Sequence, residues 1–413
     1  VREVEYVIIG NSAAAVGAVE GIRSTDKKGG ITIVSSEKHH TYSRPLISYL
    51  LQGKTDRERM KYRPDSFYRE NGCKTLLGRT AAAIDGKNRT VIMENGERIT
   101  FDRLLVATGS SPFVPPMEGL EKVEKKFSFM SLDDAGALEK ALLPEARVLI
   151  VGAGLIGLKC AEGIAARVGK LTVIDLAPRI LSSILDDEGA AMVQTHLEKQ
   201  GIEFRLGVSV KSFTDGSAEL TSGEKIDFDI LVTAVGVRPN VSLVKDAGGE
   251  TDRGIVVSGK METSIPGVYA AGDCVLSDDV SCGERRILAI LPNAYTGGFR
   301  AGVAMAGGVP APAPAIPMNA IGFFGLHIIT AGSYTGETYE ARCESSLKKL
   351  FYDENVLRGF LLIGDVSKAG IYTSLVRERT PLRDIDFGLI CREPSLAAFS
   401  RSYRDEKLGG KIS

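Results

Sequence analysis

A short apolar run from Val4 to Ile9 gives way to Gly10-Asn11-Ser12-Ala13-Ala14-Ala15, then to an alanine-rich stretch and a second run, Ile31-Thr32-Ile33-Val34. The pattern predicts strand, tight turn, helix and strand. The same succession returns at Arg147 to Val151, Gly152-Ala153-Gly154-Leu155-Ile156-Gly157, a helix through Ala166, and Leu171 to Asp175. Continuous β-branched runs separated by helices suit a parallel sheet with crossover helices. The expected fold class is therefore α/β, doubly wound, with the same supersecondary unit used twice. Further on, Gly307 to Pro317 alternates Pro and Ala, the composition of a stiff connector, and marks a further domain beginning near Met318. There Leu347 to Tyr352 and Val356 to Ile363 flank Asp353-Glu354-Asn355 as a hairpin, so this part is expected to be α+β. The polar tail from Arg401 to Lys411 is expected to fray or to dock on a neighbour.

Composition narrows the class. A chain of 413 residues with 44% hydrophobic and 25% charged content fits two or three globular domains rather than a disordered polymer. With 51 Lys plus Arg against 52 Asp plus Glu, no overall charge draws it to nucleic acid or to an anionic membrane. Its apolar stretches, such as Arg147 to Gly157, stop well short of the roughly 20 residues that span a bilayer. Val1-Arg2-Glu3-Val4 carries no signal-peptide core, so a cytoplasmic location is expected. The six cysteines, Cys73, Cys160, Cys274, Cys282, Cys343 and Cys391, form no C-x-x-C pair and are expected to be free thiols. Only four histidines are present, with His39-His40 the sole cluster, so no metal site is expected.

The chemistry enters at the two turns. A dinucleotide pyrophosphate needs a turn without side-chain obstruction and backbone N–H groups at a helix N-terminus, where the dipole favours negative charge. Gly152, Gly154 and Gly157, with Leu155 and Ile156 between, satisfy G-x-G-x-x-G in full, and Asp175 ends the next strand where ribose hydroxyls would donate to it. The first copy keeps Gly10 but has Ser12 and Ala15 at the other two positions, and its acid, Glu37, comes late. One such loop is weak evidence, because ordinary strand-to-helix turns share the pattern. Two copies, each followed by an acid, favour two nucleotide sites. Asp175 would repel a 2′-phosphate, which favours NAD(H) over NADP(H), while Arg179 keeps NADP(H) open.

Four further segments carry a resemblance. Phe101 to Ser110 contains Ala107-Thr108-Gly109; Phe228 to Asn240 contains Val235-Gly236-Val237; Met261 to Asp273 ends in Ala271-Gly272-Asp273; and Pro292-Asn293-Ala294 opens an Ala/Gly-rich helix. In this order they resemble the two-dinucleotide-binding-domain flavoproteins, the FAD-dependent pyridine nucleotide-disulphide oxidoreductases, over about residues 4 to 305. The resemblance implies two Rossmann-like domains, an FAD domain (1–113 and 243–310) split by an inserted NAD(P) domain (114–242), and a C-terminal α+β interface domain (318–413). It places FAD at Gly10, Ser12, Ala13, Ala14, Glu37, Arg44, Pro45, Ala81, Ala107, Thr108, Gly109, Gly272, Asp273, Asn293 and Ala294. Asp273 would hold the ribityl chain. NAD(H) would lie at Gly152, Gly154, Leu155, Ile156, Gly157, Asp175, Arg179 and Gly236.

Within this family the segment after the first acid lies near the flavin, and here it is Tyr42-Ser43-Arg44-Pro45-Leu46-Ile47-Ser48-Tyr49, without a redox cysteine. It resembles the rubredoxin reductase, ferredoxin reductase and nitrite reductase branches, which pass electrons straight from flavin to a protein centre. Arg44 is the expected charged group there, for the pyrophosphate or for the reduced ring. One departure stands out: where the family has a glutamate, this chain has Gly157-Leu158-Lys159, so Lys159 would reverse the charge near nicotinamide and flavin. Cys274, next to Asp273, is expected in the core rather than beside FAD, and Phe323, Phe324 and Tyr334 in the core rather than at the isoalloxazine or a subunit contact. The implied activity is hydride transfer between NADH and FAD, with electrons passed, in either direction, to a ferredoxin- or rubredoxin-type iron-sulphur protein. The rivals are an NADH oxidase, a persulphide or coenzyme A disulphide reductase, and a regulatory NADH-sensing flavoprotein resembling apoptosis-inducing factor; a homodimer is also allowed for.

Overall fold

The computed structural model describes residues 3–408, with side chains to Asp405, so Val1, Arg2 and the end of the polar tail lie outside the described residues. The chain divides into two compact units. The larger comprises residues up to Ser183, Ala190–Leu276 and Ala289–Ala313.

This unit holds two five-stranded sheets. One runs Val268–Ala270, Arg103–Val106, Glu5–Ile9, Gly30–Ser35, Cys73–Leu77, and every neighbouring pair is parallel. The other runs Ile202–Leu206, Lys170–Asp175, Arg147–Val151, Ile230–Thr233, Lys126–Phe127, again parallel throughout. In each sheet the strand that opens the glycine loop is third in order, with Ile8 and Ile150 wholly buried. Helices cover both faces of such sheets, which is why these strands are apolar without alternation.

Helix Ala13–Thr25 packs along helix Leu291–Met305, backbone against backbone. A Cβ added at Gly17, Gly21, Gly298 or Gly302 would come within 1.9 to 2.2 Å of a carbonyl oxygen of the facing helix. Two glycine pairs at a spacing of four thus hold the Pro292-Asn293-Ala294 end beside the first loop. Two antiparallel three-stranded sheets, Ala81–Asp85 with Thr90–Met93 and Arg98–Thr100, and Val210–Thr214 with Ser217–Leu220 and Lys225–Asp227, complete the unit. The chain segments Ser110–Pro112 and Val237–Pro239 pair with each other as a two-stranded antiparallel ribbon.

The second unit comprises Ile184–Gly189, Ser277–Leu288 and the chain from Pro314. Its antiparallel sheet runs Met318–Phe323, Leu326–Gly332, Leu357–Ile363, Leu347–Tyr352, Glu337–Arg342, and contains the expected hairpin. Helix Ala369–Glu378 buries Tyr372, Leu375 and Val376 in the core that also contains Phe360. The segment Ile184–Gly189 is tied in by polar contacts that no hydrophobic pattern announces. Tyr334, stacked 4.5 Å from Phe351, donates to the Ile184 carbonyl at 2.7 Å. Lys349 pairs with Asp186 and Glu188, each at 2.7 Å. Phe323 is fully buried. The polar tail begins as a helix, Arg401–Leu408.

Candidate cofactor and electron-transfer site

At the second loop the three glycines differ in what surrounds them. Gly152 has φ +117°, and a Cβ there would meet the Ala234 carbonyl oxygen at 2.2 Å; one on Gly157 would meet the Gly152 oxygen at 1.9 Å. A Cβ on Gly154 would find nothing within 4 Å. The outer glycines therefore serve close packing, and the middle one leaves open the space a pyrophosphate needs. Gly154 is also the N-cap of helix Leu155–Ile164, which has no capping side chain and no acid in its first turn. Its first N–H groups are thus left for an anion.

Asp175 accepts hydrogen bonds from the backbone N–H of Ala153 at 2.6 Å and of Ala177 at 2.8 Å. The acid ties the loop to the end of the neighbouring strand, and each oxygen keeps a further lone pair for a ribose hydroxyl. Arg179 is half-buried and donates to the Ser182 carbonyl at 3.4 Å. Gly236, just beyond the Ile230–Thr233 strand, has φ +126° and open space around it.

The first loop is built the same way at its first position: Gly10 has φ +124°, and a Cβ would strike the Ala107 oxygen at 2.1 Å. Ser12 is the N-cap of helix Ala13–Thr25, yet its hydroxyl makes no capping hydrogen bond and the first turn has no acid. Asn11, absent from the sequence-based candidates, pins the loop. It donates to the His39 carbonyl at 3.2 Å and accepts from the Tyr68 hydroxyl at 2.9 Å, which in turn accepts from the Thr41 N–H at 3.0 Å. Gly272, at φ +90°, brings the separate motifs together, since a Cβ there would lie 3.2 Å from the Ala14 Cβ and 3.9 Å from that of Ala294. Ala13 and Ala14 are buried, as are Ala107 and Ala294. Thr108 and Asn240 exchange side chain-to-backbone hydrogen bonds at 2.8 and 2.9 Å, and the Asn240 N–H donates to the Gly109 carbonyl at 2.9 Å. Helix Leu291–Met305, with Pro292 and Asn293 in its first turn, again lacks a capping side chain and an acid there. Helix Leu132–Ala141, by contrast, carries a full capping box from Ser131 and Asp134. Ala81 sits half-buried against the core of the first sheet.

Arg44 is held from three sides. It donates to Glu37 at 2.6 Å and to the Met130 carbonyl at 2.9 Å, and lies 5.3 Å from the centre of the Tyr42 ring. Tyr42 donates to the other Glu37 oxygen at 2.7 Å and accepts from the Leu132 N–H at 3.0 Å; burial, with Glu37 beside it, pushes its hydroxyl pKa up. Glu37 thus engages both oxygens with Tyr42 and Arg44, and a ribose would have to use the lone pairs that remain. Pro45 follows, exposed, in a short 3-10 turn. Burial raises the Asp273 carboxyl above its ordinary range, and the Arg44 charge partly offsets this.

Lys159 stands with a counterion the sequence did not single out. Its ammonium pairs with Glu162 one turn on and lies 4.6 Å from the centre of the Tyr49 ring. The charge reversal expected at this position is therefore compensated within the same helix. Cys274 is fully buried, bonded to the Ala271 carbonyl at 3.4 Å, and burial pushes its thiol up to about 11. All six cysteines are free. Among the described residues no group of three His, Cys, Asp or Glu is placed to hold a metal ion, and no helix is long and apolar enough to cross a membrane.

Residues 4–298 match the pyridine nucleotide-disulphide oxidoreductase family. The chain is 31% identical to the NADH-dependent phenylglyoxylate dehydrogenase subunit epsilon of Aromatoleum evansii, covering 92% of this chain and 93% of that one. It is 31% identical to a rubredoxin-NAD(+) reductase of Pseudomonas putida over 75% of this chain and 82% of the relative. Among solved structures, the covalent putidaredoxin reductase-putidaredoxin complex superposes with a TM-score of 0.88 at 22% identity, covering 99% of both chains. The chain belongs to the pyridine nucleotide-disulphide oxidoreductase family and is an FAD- and NAD(H)-dependent oxidoreductase of that family.

Proposed function

We propose that the protein transfers a hydride between NADH, bound at the Gly152 loop, and FAD, bound at the Gly10 loop, and exchanges electrons with a ferredoxin- or rubredoxin-type iron-sulphur protein. The observation that carries this is the paired arrangement of two uncapped helix N-termini, each behind a glycine that fits only as glycine. When bound, FAD supplies two-electron exchange on one side and one-electron exchange on the other. The protein's own residues do the rest. The outer glycines and Asn11 shape the loops, Asp175 accepts from ribose and disfavours a 2′-phosphate, and Arg44 brings a fixed charge beside Asp273. FAD would occupy a domain made of 1–113 and 243–310, the nucleotide an inserted domain at 114–242, with 318–413 as the C-terminal domain.

An iron-sulphur partner rather than a disulphide is supported by the segment 42–49, which has no cysteine, and by the buried thiols of Cys160 and Cys274. The Aromatoleum evansii relative is itself a subunit of a dehydrogenase, which supports a second reading in which this chain serves a larger complex and forms NADH. Anaerobic mixing of the FAD-loaded protein with NADH, followed by rubredoxin, ferredoxin, oxygen or a disulphide, tests both. Rapid flavin bleaching and fast reoxidation by an iron-sulphur protein is the expected result. Fast turnover of disulphides in a variant without cysteines, or slow bleaching coupled to dimerisation, would refute it.

A further inference from the structure

Helices Ile47–Leu51 and Leu155–Ile164 approach closely at Gly163, where a Cβ would lie 3.2 Å from the Ser48 oxygen and 3.5 Å from the Leu51 Cβ. One turn earlier, Lys159 lays its ammonium on the Tyr49 ring and pairs with Glu162; the two charged side chains are 15% and 4% exposed. An ion pair this deep is a poor stability device, because apolar residues of the same volume often serve as well or better. Its place in the fold suggests another use. The Tyr49 helix continues from the Arg44-Pro45-Leu46 turn, Arg44 acts on Asp273, and Asp273 follows Gly272, which packs on Ala14 beside the Gly10 loop. The Lys159 helix begins at Gly154. A run of neighbouring segments thus links the two glycine loops through Tyr49 and Lys159, and on the hydride-transfer reading the redox-active ends of two dinucleotides anchored at those loops would meet between them. Lys159 precedes Glu162 in the helix, so its Cα is the nearer of the two to the loop at Gly154.

We infer that Lys159, held on the Tyr49 ring and balanced by Glu162, is a potential-setting cation that stabilises negative charge on the reduced flavin. The aromatic face fixes the ammonium without neutralising it, as a second carboxylate would. The inference rests on the hydride-transfer reading above. It is tested on the full-length, FAD-loaded protein by equilibrating the flavin with reference dyes and a chemical reductant, in the absence of NADH. The midpoint potential is expected to fall from wild type to K159Q/E162Q and further to K159Q, which removes the positive charge and keeps the Glu162 carboxylate. For the double variant the reduced-to-oxidised ratio at fixed potential drops about tenfold, about 30 mV for a two-electron couple. K159R and Y49F keep the wild-type potential, whereas Y49L moves toward the double variant. A merely structural pair would lower thermal stability or FAD content and leave the potential unmoved; unmoved potentials, or a rise in K159Q, overturn the inference. Failure of NADH to bleach the wild-type flavin would sink the hydride reading alone, because the dye measurement does not use NADH.

Discussion

The carboxylate of Asp175 accepts a 2.6 Å hydrogen bond from the backbone N–H of Ala153, the residue between the first two glycines of the second loop. The side chain that should select the ribose also sets the shape of the phosphate turn. Replacement of Asp175 by Ala should therefore weaken NADH binding by more than a lost ribose contact, since a hydrogen bond to a charged group contributes about 1.5 to 3 kcal/mol. The expected outcome is a KM for NADH raised at least about tenfold, with the ratio of NADH to NADPH efficiency falling as the repulsion of a 2′-phosphate is removed. A KM for NADPH already far below that for NADH in the wild-type protein would contradict the assignment.

The unequal surroundings of the glycines predict unequal mutants. Gly154→Ala places its methyl in open space, so the melting temperature should hold while NADH affinity drops. Gly157→Ala drives a Cβ to 1.9 Å from the Gly152 oxygen, so it should destabilise the protein by about 2 kcal/mol or more, the scale of overpacked cores and strained backbone. Thermal unfolding paired with an NADH titration distinguishes the two. Equal losses of stability would show that the loop is not shaped as described.

Arg44 is oriented by Glu37 and Met130 and lies beside Tyr42, an arrangement that suits a planar, fixed charge. Arg44→Lys should therefore lose FAD nearly as readily as Arg44→Ala, with an affinity loss of about tenfold or more. The absorbance ratio of flavin to protein after gel filtration measures this. Full retention of FAD in Arg44→Ala would remove Arg44 from the site.

Asp273 supplies a pH signature. Burial raises its folded-state pKa above the ordinary value, with Arg44 offsetting part of the rise. A carboxyl raised on folding favours the folded state most fully below its unfolded pKa, and that advantage is lost as pH climbs through the raised value. In flavin-free protein, Asp273→Asn should therefore increase the melting temperature at pH 7 and have little effect near pH 3, while weakening FAD retention. Destabilisation at pH 7 would show the carboxylate to be better paired than burial and Arg44 imply.

Much of the candidate site's local geometry was legible in the chain because its parts are close in sequence. A glycine after a β-branched strand, a second glycine two residues on and an acid closing the next strand need no knowledge of distant contacts, which is how Gly152, Gly154, Gly157 and Asp175 could be named together. The irregular Gly10 loop could be placed only through its companions. Its actual fastening, Asn11 to Tyr68 and His39, joins residues with no shared periodicity. The same holds for Glu162, an ordinary helix acid until burial makes it the partner of Lys159, and for Ile184–Gly189, whose membership of the second unit depends on Lys349 and Tyr334. By itself the sequence determined the two strand-turn-helix units and the glycine pattern of their turns, from which the phosphate-binding role is proposed, because steric and hydrogen-bonding demands there fall within a few residues. Only the tertiary structure decided which charges are paired, which glycine faces open space and what holds Arg44 and Lys159, because burial and long-range hydrogen bonds exist only once the chain has closed on itself.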